Sequence, residues 1–296
     1  MPPPQTISEA LRQARAAYRH YREVAAQEDS GTTTTEAAAR SGGEASTSSP
    51  SSPASSLPAG QGGGPRRLII EMPLPAQRDG FLGRGGTPPD LVTLTDEADY
   101  PGGELQRFRV VRKLVEGFLE GYEHEFLGFC EDGADGVGLW RVGADTCLIA
   151  NVTNATVPSL LKLLDGGYGA RASRPGSTVI AFNPTWTGDA GSVGQPWQRE
   201  LRRRAREVMD RSGWETLYVA RILRTSRGAN GLLHRAWPGR WAVYPAASPD
   251  ARYFGDCVLA TPSRPTPEKL VEKLAEAKPA MQKKAKELGL EEPGWF

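Results

Sequence analysis

Histidine and cysteine are scarce in this chain, three of each in 296 residues, and their placement excludes more than their number does. Cys130, Cys147 and Cys257 are odd in count, widely spaced and form no Cys-x-x-Cys pair, which argues against a disulfide framework and against a zinc site. Each falls in an apolar run and reads as a small buried hydrophobe. His20, His124 and His234 have no histidine or cysteine roughly three to five residues away, the spacing of a local metal pair. A ligand set or triad assembled from distant parts of the chain stays open. Glu123-His124-Glu125 reads as an exposed helix end, and His234 reads as a structural residue of a late hairpin. Gly-x-Gly-x-x-Gly, Gly-x-x-x-x-Gly-Lys and Gly-x-Ser-x-Gly are all missing, which removes the known phosphate loops and the hydrolase elbow. No apolar run approaches the roughly 20 residues of a membrane span, and no secretory h-region follows Met1. Excess charge is missing too. Lys plus Arg number 36 against 35 Asp plus Glu, so no global field draws the chain to nucleic acid or an anionic membrane. The residues therefore assign no catalytic group, no cofactor and no metal, and the expectation is a soluble protein with any basic function confined to a patch.

What is present is organised around Thr178 to Trp214. The apolar run Thr178-Val179-Ile180-Ala181-Phe182 has no polar alternation, as in a strand buried on both faces, and Asn183-Pro184 ends it. A glycine-dotted loop and a helix signal at Gln195-Pro196-Trp197 follow. In open α/β sheets ligands bind outside the carboxyl ends of strands, so Asn183 to Gly194 is the first place to look for a function.

The chain in order supports a single α/β domain with a mixed, mostly parallel sheet, helices on both faces and a late β-hairpin. Residues 1–28 hold an N-terminal helix, opened by a Thr6/Glu9 capping box and amphipathic through Ile7, Leu11, Ala14, Tyr18, Tyr21 and Val24. Asp29 to Pro65 has no aromatic and one large apolar residue, Leu57, too little to offset its ordering entropy, and reads as a disordered insert. The α/β core spans 66–265. It starts with a strand at Arg67–Leu74, then a helix whose apolar positions are Leu105, Phe108, Val111, Val115, Phe118 and Tyr122. Short strands at 126–130, 136–142 and 146–151, a helix from Pro158, and the Thr178 strand follow. The next helix is expected to bury Trp197, Leu201, Ala205 and Val208. A strand at Trp214–Leu223, a hairpin about Trp237-Pro238-Gly239-Arg240, and a last strand within Gly255–Thr261 complete it. Residues 266–296 form a basic C-terminal helix capped by Thr266, with Pro267 first and Pro279 expected to break or kink it.

The dense arginines Arg199, Arg202, Arg203, Arg204 and Arg206 allow two readings, an anion groove or a solvated face paired with Glu200, Glu207 and Asp210. Arg221, Arg224 and Arg227 form a second basic group. The candidate ligand-binding residues are Asn183 with Arg224 and Arg227, and, beside Tyr100-Pro101-Gly102-Gly103 at a helix start, Arg107 and Arg109.

Ordered landmarks then accumulate: Arg67-Leu68-Ile69-Ile70-Glu71, Tyr100-Pro101-Gly102-Gly103 before a helix, Phe182-Asn183-Pro184, and Trp237-Pro238-Gly239-Arg240-Trp241. In that order they resemble a plant, algal and cyanobacterial domain family of unknown function, over roughly residues 5–245. Members of that family include a chloroplast photosystem II assembly factor named for low photosystem II accumulation and a domain appended to a plastid adenylate kinase. The resemblance implies an α/β fold and a chloroplast location, stroma or thylakoid surface, although no transit peptide is visible. It carries over no catalytic residue. It implies a non-catalytic plastid protein that assists photosystem or thylakoid complex biogenesis by binding a plastid protein partner, free or membrane-associated. The alternative is a binding domain for a nucleotide or phosphorylated ligand at the carboxyl edge of the sheet.

Replacing residues 29–65 by a short glycine-serine bridge should leave the melting temperature within about 3 °C, a shift worth of order 1 kcal/mol in a domain of this size. Calorimetry of the two chains checks this, and a collapse of stability would mean that the segment is packed.

Overall fold

In the structure, a computed structural model, residues 2–38, 65–75, 94–95, 103–131, 133, 135–169, 171–174, 176–186, 190–225, 228–248 and 253–290 are described. Nine strands form one sheet. Four of them are parallel and central: β6 (Thr146–Ala150), β7 (Thr178–Phe182), β1 (Arg66–Glu71) and β8 (Glu215–Arg224), in that spatial order. On one flank β5 (Gly138–Val142) and β4 (His124–Phe129) add antiparallel to β6. On the other, β9 (Asn230–Ala236), β10 (Trp241–Ala246) and β11 (Leu259–Thr261) add antiparallel to β8. Leu74–Pro75 (β2) and Leu94–Thr95 (β3) make a separate small pair.

The α/β class, the mixed sheet and the late hairpin are as the sequence implies. Parallel pairing, however, is confined to the centre. The turns between β4, β5 and β6 are too short for a crossover, which parallel neighbours require, so these strands pair antiparallel.

Helices cover both faces. Leu68 and Ile70 of β1 pack with α1 (Ile7–Ala38) and α2 (Gly103–Leu119), in a core that holds Tyr18, Phe108, Phe118, Trp140 and Phe182. Ile69, between them in sequence, points the other way, into a core with α3 (Val157–Leu164) and α4 (Arg199–Met209). The strand is apolar without alternation because both of its faces are covered. Val219, Leu233 and Val243 meet Leu274 of α5 (Pro267–Glu287). Val219 stands level with Glu71 on β1, two residues beyond Ile69, so α5 lies on the same face as α3 and α4.

Local signals placed the helix starts well. Thr6 Oγ1 accepts from the Glu9 N–H at 3.1 Å, and Glu9 reaches back to the Gln5 N–H at 2.9 Å. Thr266 caps α5. His124 opens β4 instead of closing a helix, and Cys257 is exposed instead of buried. Three further expectations need correction. First, α1 runs to Ala38, ten residues past its expected end at Glu28; residues 39–64 of the expected insert lie outside the described residues. The low-complexity composition predicts the lack of a core there, but it does not stop helical hydrogen bonds from propagating from a packed helix. Second, α4 begins only at Arg199, which leaves Trp197 before it, 75% exposed. Third, Pro279 does not break α5, which continues through it although its ring should cost roughly 3 kcal/mol in a helix interior.

A buried polar cluster fastens α1 to the sheet. Gln13 Nε2 donates to the Pro2 carbonyl at 3.0 Å, which fixes the amide's orientation and leaves Oε1 as the acceptor. That oxygen takes the Tyr218 hydroxyl at 3.2 Å and faces His234 Nε2 at 3.0 Å, so the imidazole donates from Nε2. Burial pushes the His234 pKa down to about 4.

His234 therefore stays neutral in the folded protein well below the pH at which the unfolded chain protonates it, near 6.5. The unfolded state binds the extra proton, so this contribution to stability is complete above pH 6.5 and is lost as the pH falls towards 4. Denaturant midpoints over that window should show a loss of about 3 kcal/mol that is absent in His234→Gln.

Candidate functional site

The carboxyl edge of the parallel strands is built on two asparagines. Asn151 follows β6 and Asn183 follows β7, and both adopt a left-handed backbone, with φ of 67° and 48°. Asparagine enters that region more readily than other residues with a β-carbon, because its short polar side chain bonds locally. The Asn183 N–H continues the ladder to the Ile70 carbonyl at 2.7 Å, and that of Asn151 does the same to Phe182 at 3.0 Å. The two side chains then reach in different directions. The Asn183 carboxamide brackets the peptide of Met72, accepting from its N–H at 2.5 Å and donating to its carbonyl at 3.1 Å. Asn151 Nδ2 donates to the carbonyls of Glu104 at 3.2 Å and Gly136 at 3.1 Å, while its buried Oδ1 has no hydrogen-bond donor among the described residues.

Arg107 reaches the second of them. It is buried on α2, and its Nη2 donates to the Asn183 carbonyl at 3.1 Å. Of the residues expected to form a ligand site, the structure brings Arg107 to Asn183. Arg109 is exposed on α2. Arg224 ends β8, exposed, five residues past the Val219 that stands level with Glu71, which is about 16 Å farther along the strand. Arg227 lies outside the described residues. Asn183 thus has its carboxamide committed to Met72, and its neighbourhood fixes the first turns of α2. The arginines of α4 make ion pairs: Arg203 with Glu200 and Glu207, both at 2.5 Å, and Arg204 with Asp165 at 2.6 Å.

Pinning α2 there shapes the neighbouring edge of the sheet. Gly138 on β5 lets the helix come close, since a β-carbon in its place would stand 2.5 Å from the Phe108 ring. Phe108 in turn packs against Phe129 of β4, ring centroids 4.9 Å apart, and against Phe126 at 6.4 Å. Strand alternation would put Phe126 and Phe129 on opposite faces; the register shift between Phe126 and Gly128 brings both to the α2 side. Among the described residues β4 is the terminal strand and pairs only with β5. Along its outer margin Leu127 is 40% exposed and Phe129 42%, and Leu105, one helical turn before Phe108, is 39% exposed. These are three of the five large apolar residues exposed among the described residues, so the apolar surface is concentrated at this edge. Leu105 carries a helix-face signal in the sequence and reads there as core. Leu127 and Phe129 give no sign of exposure, because nothing in the sequence says that β4 is the last strand.

A match to the family described as "Domain of unknown function (DUF1995)" extends over residues 4–272. No curated protein and no solved structure matches the chain.

Replacing Asn183 tests the carboxyl edge. Asn183→Ala removes two hydrogen bonds to a buried peptide and places a β-carbon in the left-handed region, which should cost about 2–4 kcal/mol in a denaturant titration. Asn183→Gly relieves the backbone but not the lost bonds, so it should fall between that variant and the parent chain.

Proposed function

The chain belongs to the DUF1995 family, a domain of unknown function, and from its exposed β4 edge and the resemblance in landmark order we propose that it is a non-catalytic plastid protein that assists photosystem or other thylakoid complex biogenesis by binding a partner protein. The partner contributes an extended, apolar segment that adds to the sheet beside β4. One observation carries this reading: a six-residue terminal strand whose margin exposes Leu127 and Phe129 next to Leu105. An exposed apolar edge is an aggregation hazard that proteins ordinarily blunt with short strands, charges or coverage. The opposite end of this sheet follows that rule, for β11 has only three residues. At β4 the strand is twice that length, and it leaves Leu127 and Phe129 exposed beside a margin that strand addition could use. Backbone hydrogen bonds supply affinity, and side-chain contacts on alternate faces supply selectivity. The resemblance of the landmark order to a plant, algal and cyanobacterial family is what favours placing this activity in the plastid. The ion pair between Glu125 and Arg141 flanks the apolar stretch and fixes where a partner's charges would be tolerated.

The test is genetic and structural together. A strain lacking the protein should accumulate less photosystem II, the parent chain should restore it, and the double variant Leu127→Lys/Phe129→Lys should not. The purified double variant should stay folded and melt within about 6 °C of the parent, because Phe129 gives up a half-exposed packing contact with Phe108 worth about 1–2 kcal/mol. Restoration by the double variant would remove the β4 edge from the reading. Normal photosystem levels in the deletion strain would remove the biogenesis role, and saturable turnover of a phosphorylated metabolite by the purified chain would replace it with an enzyme.

A further inference from the structure

Trp197 is the most exposed large apolar side chain among the described residues, at 75% against 39–45% for the others. It stands at the tip of a turn that the chain holds firmly. The Gln198 N–H donates to the Gln195 carbonyl at 3.0 Å, which closes a four-residue turn with Pro196 and Trp197 as its central pair; proline suits the first of those positions because its φ is already set. The Gln195 N–H donates in turn to Gln198 Oε1 at 2.7 Å. Behind the turn Gly194 has φ of 60°, and a β-carbon there would stand 2.8 Å from Leu201 Cδ2, so the close approach to α4 uses glycine. Arg202 of α4 reaches back to the Val193 carbonyl at 3.1 Å and to that of Gly194 at 3.5 Å. The backbone that carries the indole is therefore fixed before any contact, which lowers the ordering cost of making one.

α4 continues from this turn and sorts its charges by side. Arg199, Arg202 and Arg206 follow the i, i+3, i+7 spacing of one helical face. Arg199 and Arg206 are exposed and form no ion pair among the described residues. Glu200 and Glu207 lie one residue on from these two arginines, about 100° round the helix, and Arg203 bonds both of them. Those bonds hold the Glu200 carboxyl below the ordinary carboxylate range. Of the neighbouring acids, Asp165 pairs with Arg204, and Asp210 accepts from the N–H and hydroxyl of Ser212.

The surroundings of Trp197 decide what it fits. Gln195, Pro196, Gln198 and Arg199 are all exposed, so the indole stands alone among polar groups and outside any apolar patch. A protein interface forms round an apolar core, and single-stranded nucleic acid follows a groove with stacking rings. The outer side of α4 is convex and carries one ring. A lipid–water interface accepts an isolated indole of this kind, and an anionic headgroup layer attracts arginines held at the same level. α4 packs its own apolar side, Ala205, Val208 and Met209, into the core, and no helix among the described residues is long and apolar enough to cross a membrane. The contact such a surface allows is thus peripheral, one turn and one helix face resting on the headgroups.

We propose that Trp197, with Arg199 and Arg206 beside it, docks the protein reversibly on an anionic lipid surface, the indole entering the headgroup layer and the two guanidinium groups facing lipid phosphates. α4 covers the face of the sheet opposite α2, whereas the apolar margin of β4 adjoins α2, so this surface is separate from the β4 edge and stands whether or not that edge binds a partner.

The test sediments the full chain with vesicles of phosphatidylcholine alone, or with about 30% phosphatidylglycerol, at about 0.05 M and about 0.5 M potassium chloride. The chain should bind the anionic vesicles saturably at the lower salt, at least about tenfold more weakly at the higher, and should not bind phosphatidylcholine alone. Trp197→Ala and the double variant Arg199→Gln/Arg206→Gln should each weaken binding at least about fivefold, and each should melt within about 3 °C of the parent because all three positions are exposed. Tryptophan emission should move to shorter wavelength on binding in the parent and stay unchanged in Trp197→Phe, a readout that a purely electrostatic contact would not give. The Leu127→Lys/Phe129→Lys variant should still bind vesicles, which keeps this test apart from that of the β4 edge; loss of binding there would move the contact to β4 and overturn the proposal. Failure to bind anionic vesicles overturns it, as does equal binding to phosphatidylcholine or binding that Trp197→Ala leaves unchanged. Binding to polyuridylate or polyglutamate in place of vesicles would assign the arginines to a nucleic acid or an acidic protein and overturn it as well.

Discussion

The bracket that the Asn183 carboxamide forms on the Met72 peptide holds the centre of this protein in register. It joins residues 111 apart in sequence and lies where the central strand β1 leaves the sheet. β1 is the strand on which both faces depend, since β7 and β8 pair with it on either side and neither pairs with the other. Fixing its carboxyl end sends Met72 into the core under α1 and α2 and leaves Glu71 on the opposite face, among arginines. A slip of one residue would exchange those environments, placing a carboxylate among Phe118 and Phe182 and an apolar side chain among the guanidinium groups.

The charge distribution follows from the same geometry. Several exposed charges on the helices are matched locally: Arg203 with Glu200 and Glu207 on α4, Lys273 with Glu276 and Lys284 with Glu287 on α5. Such pairs are worth only a few tenths of a kcal/mol each and leave the long-range field close to zero. Around Glu71 the same residue types have a different effect, because burial removes the solvent screening that makes surface pairs weak. Arg211 and Arg264 reach Glu71 from segments distant in sequence, so their pairing is visible only where those segments meet on a single face.

The apolar edge has a comparable origin. Asn151 and Arg107 tie the start of α2 to the ends of β6 and β7, and α2 then presents Phe108 to the aromatic residues of β4. α1 is held independently by Gln13, whose partners Tyr218 and His234 are 205 and 221 residues away. The helices on this face thus rest on buried polar contacts at their ends as well as on the aromatic core between them, which leaves the margin of β4 uncovered by either helix.

The amino-acid sequence by itself determined the elements. Apolar spacing gave α2 and the buried strand at Thr178–Phe182, Thr6 and Thr266 marked two helix starts, and Pro158 and Pro196 lie in or just before first turns. These signals are readable because they arise within about four residues of backbone, from dihedral preference, capping and periodicity. The α/β class follows from their order. Asn183 was legible as the end of a strand, and Arg107 as a basic residue near a helix start; that they meet was not. The tertiary structure alone decided that β1 lies between β7 and β8, that β4 is an outer strand, and that Arg211 and Arg264 stand with Arg221 around Glu71. Strand order sets which distant residues become neighbours, and it is fixed by the simultaneous burial of both faces of the sheet, a condition that no local stretch of the chain contains.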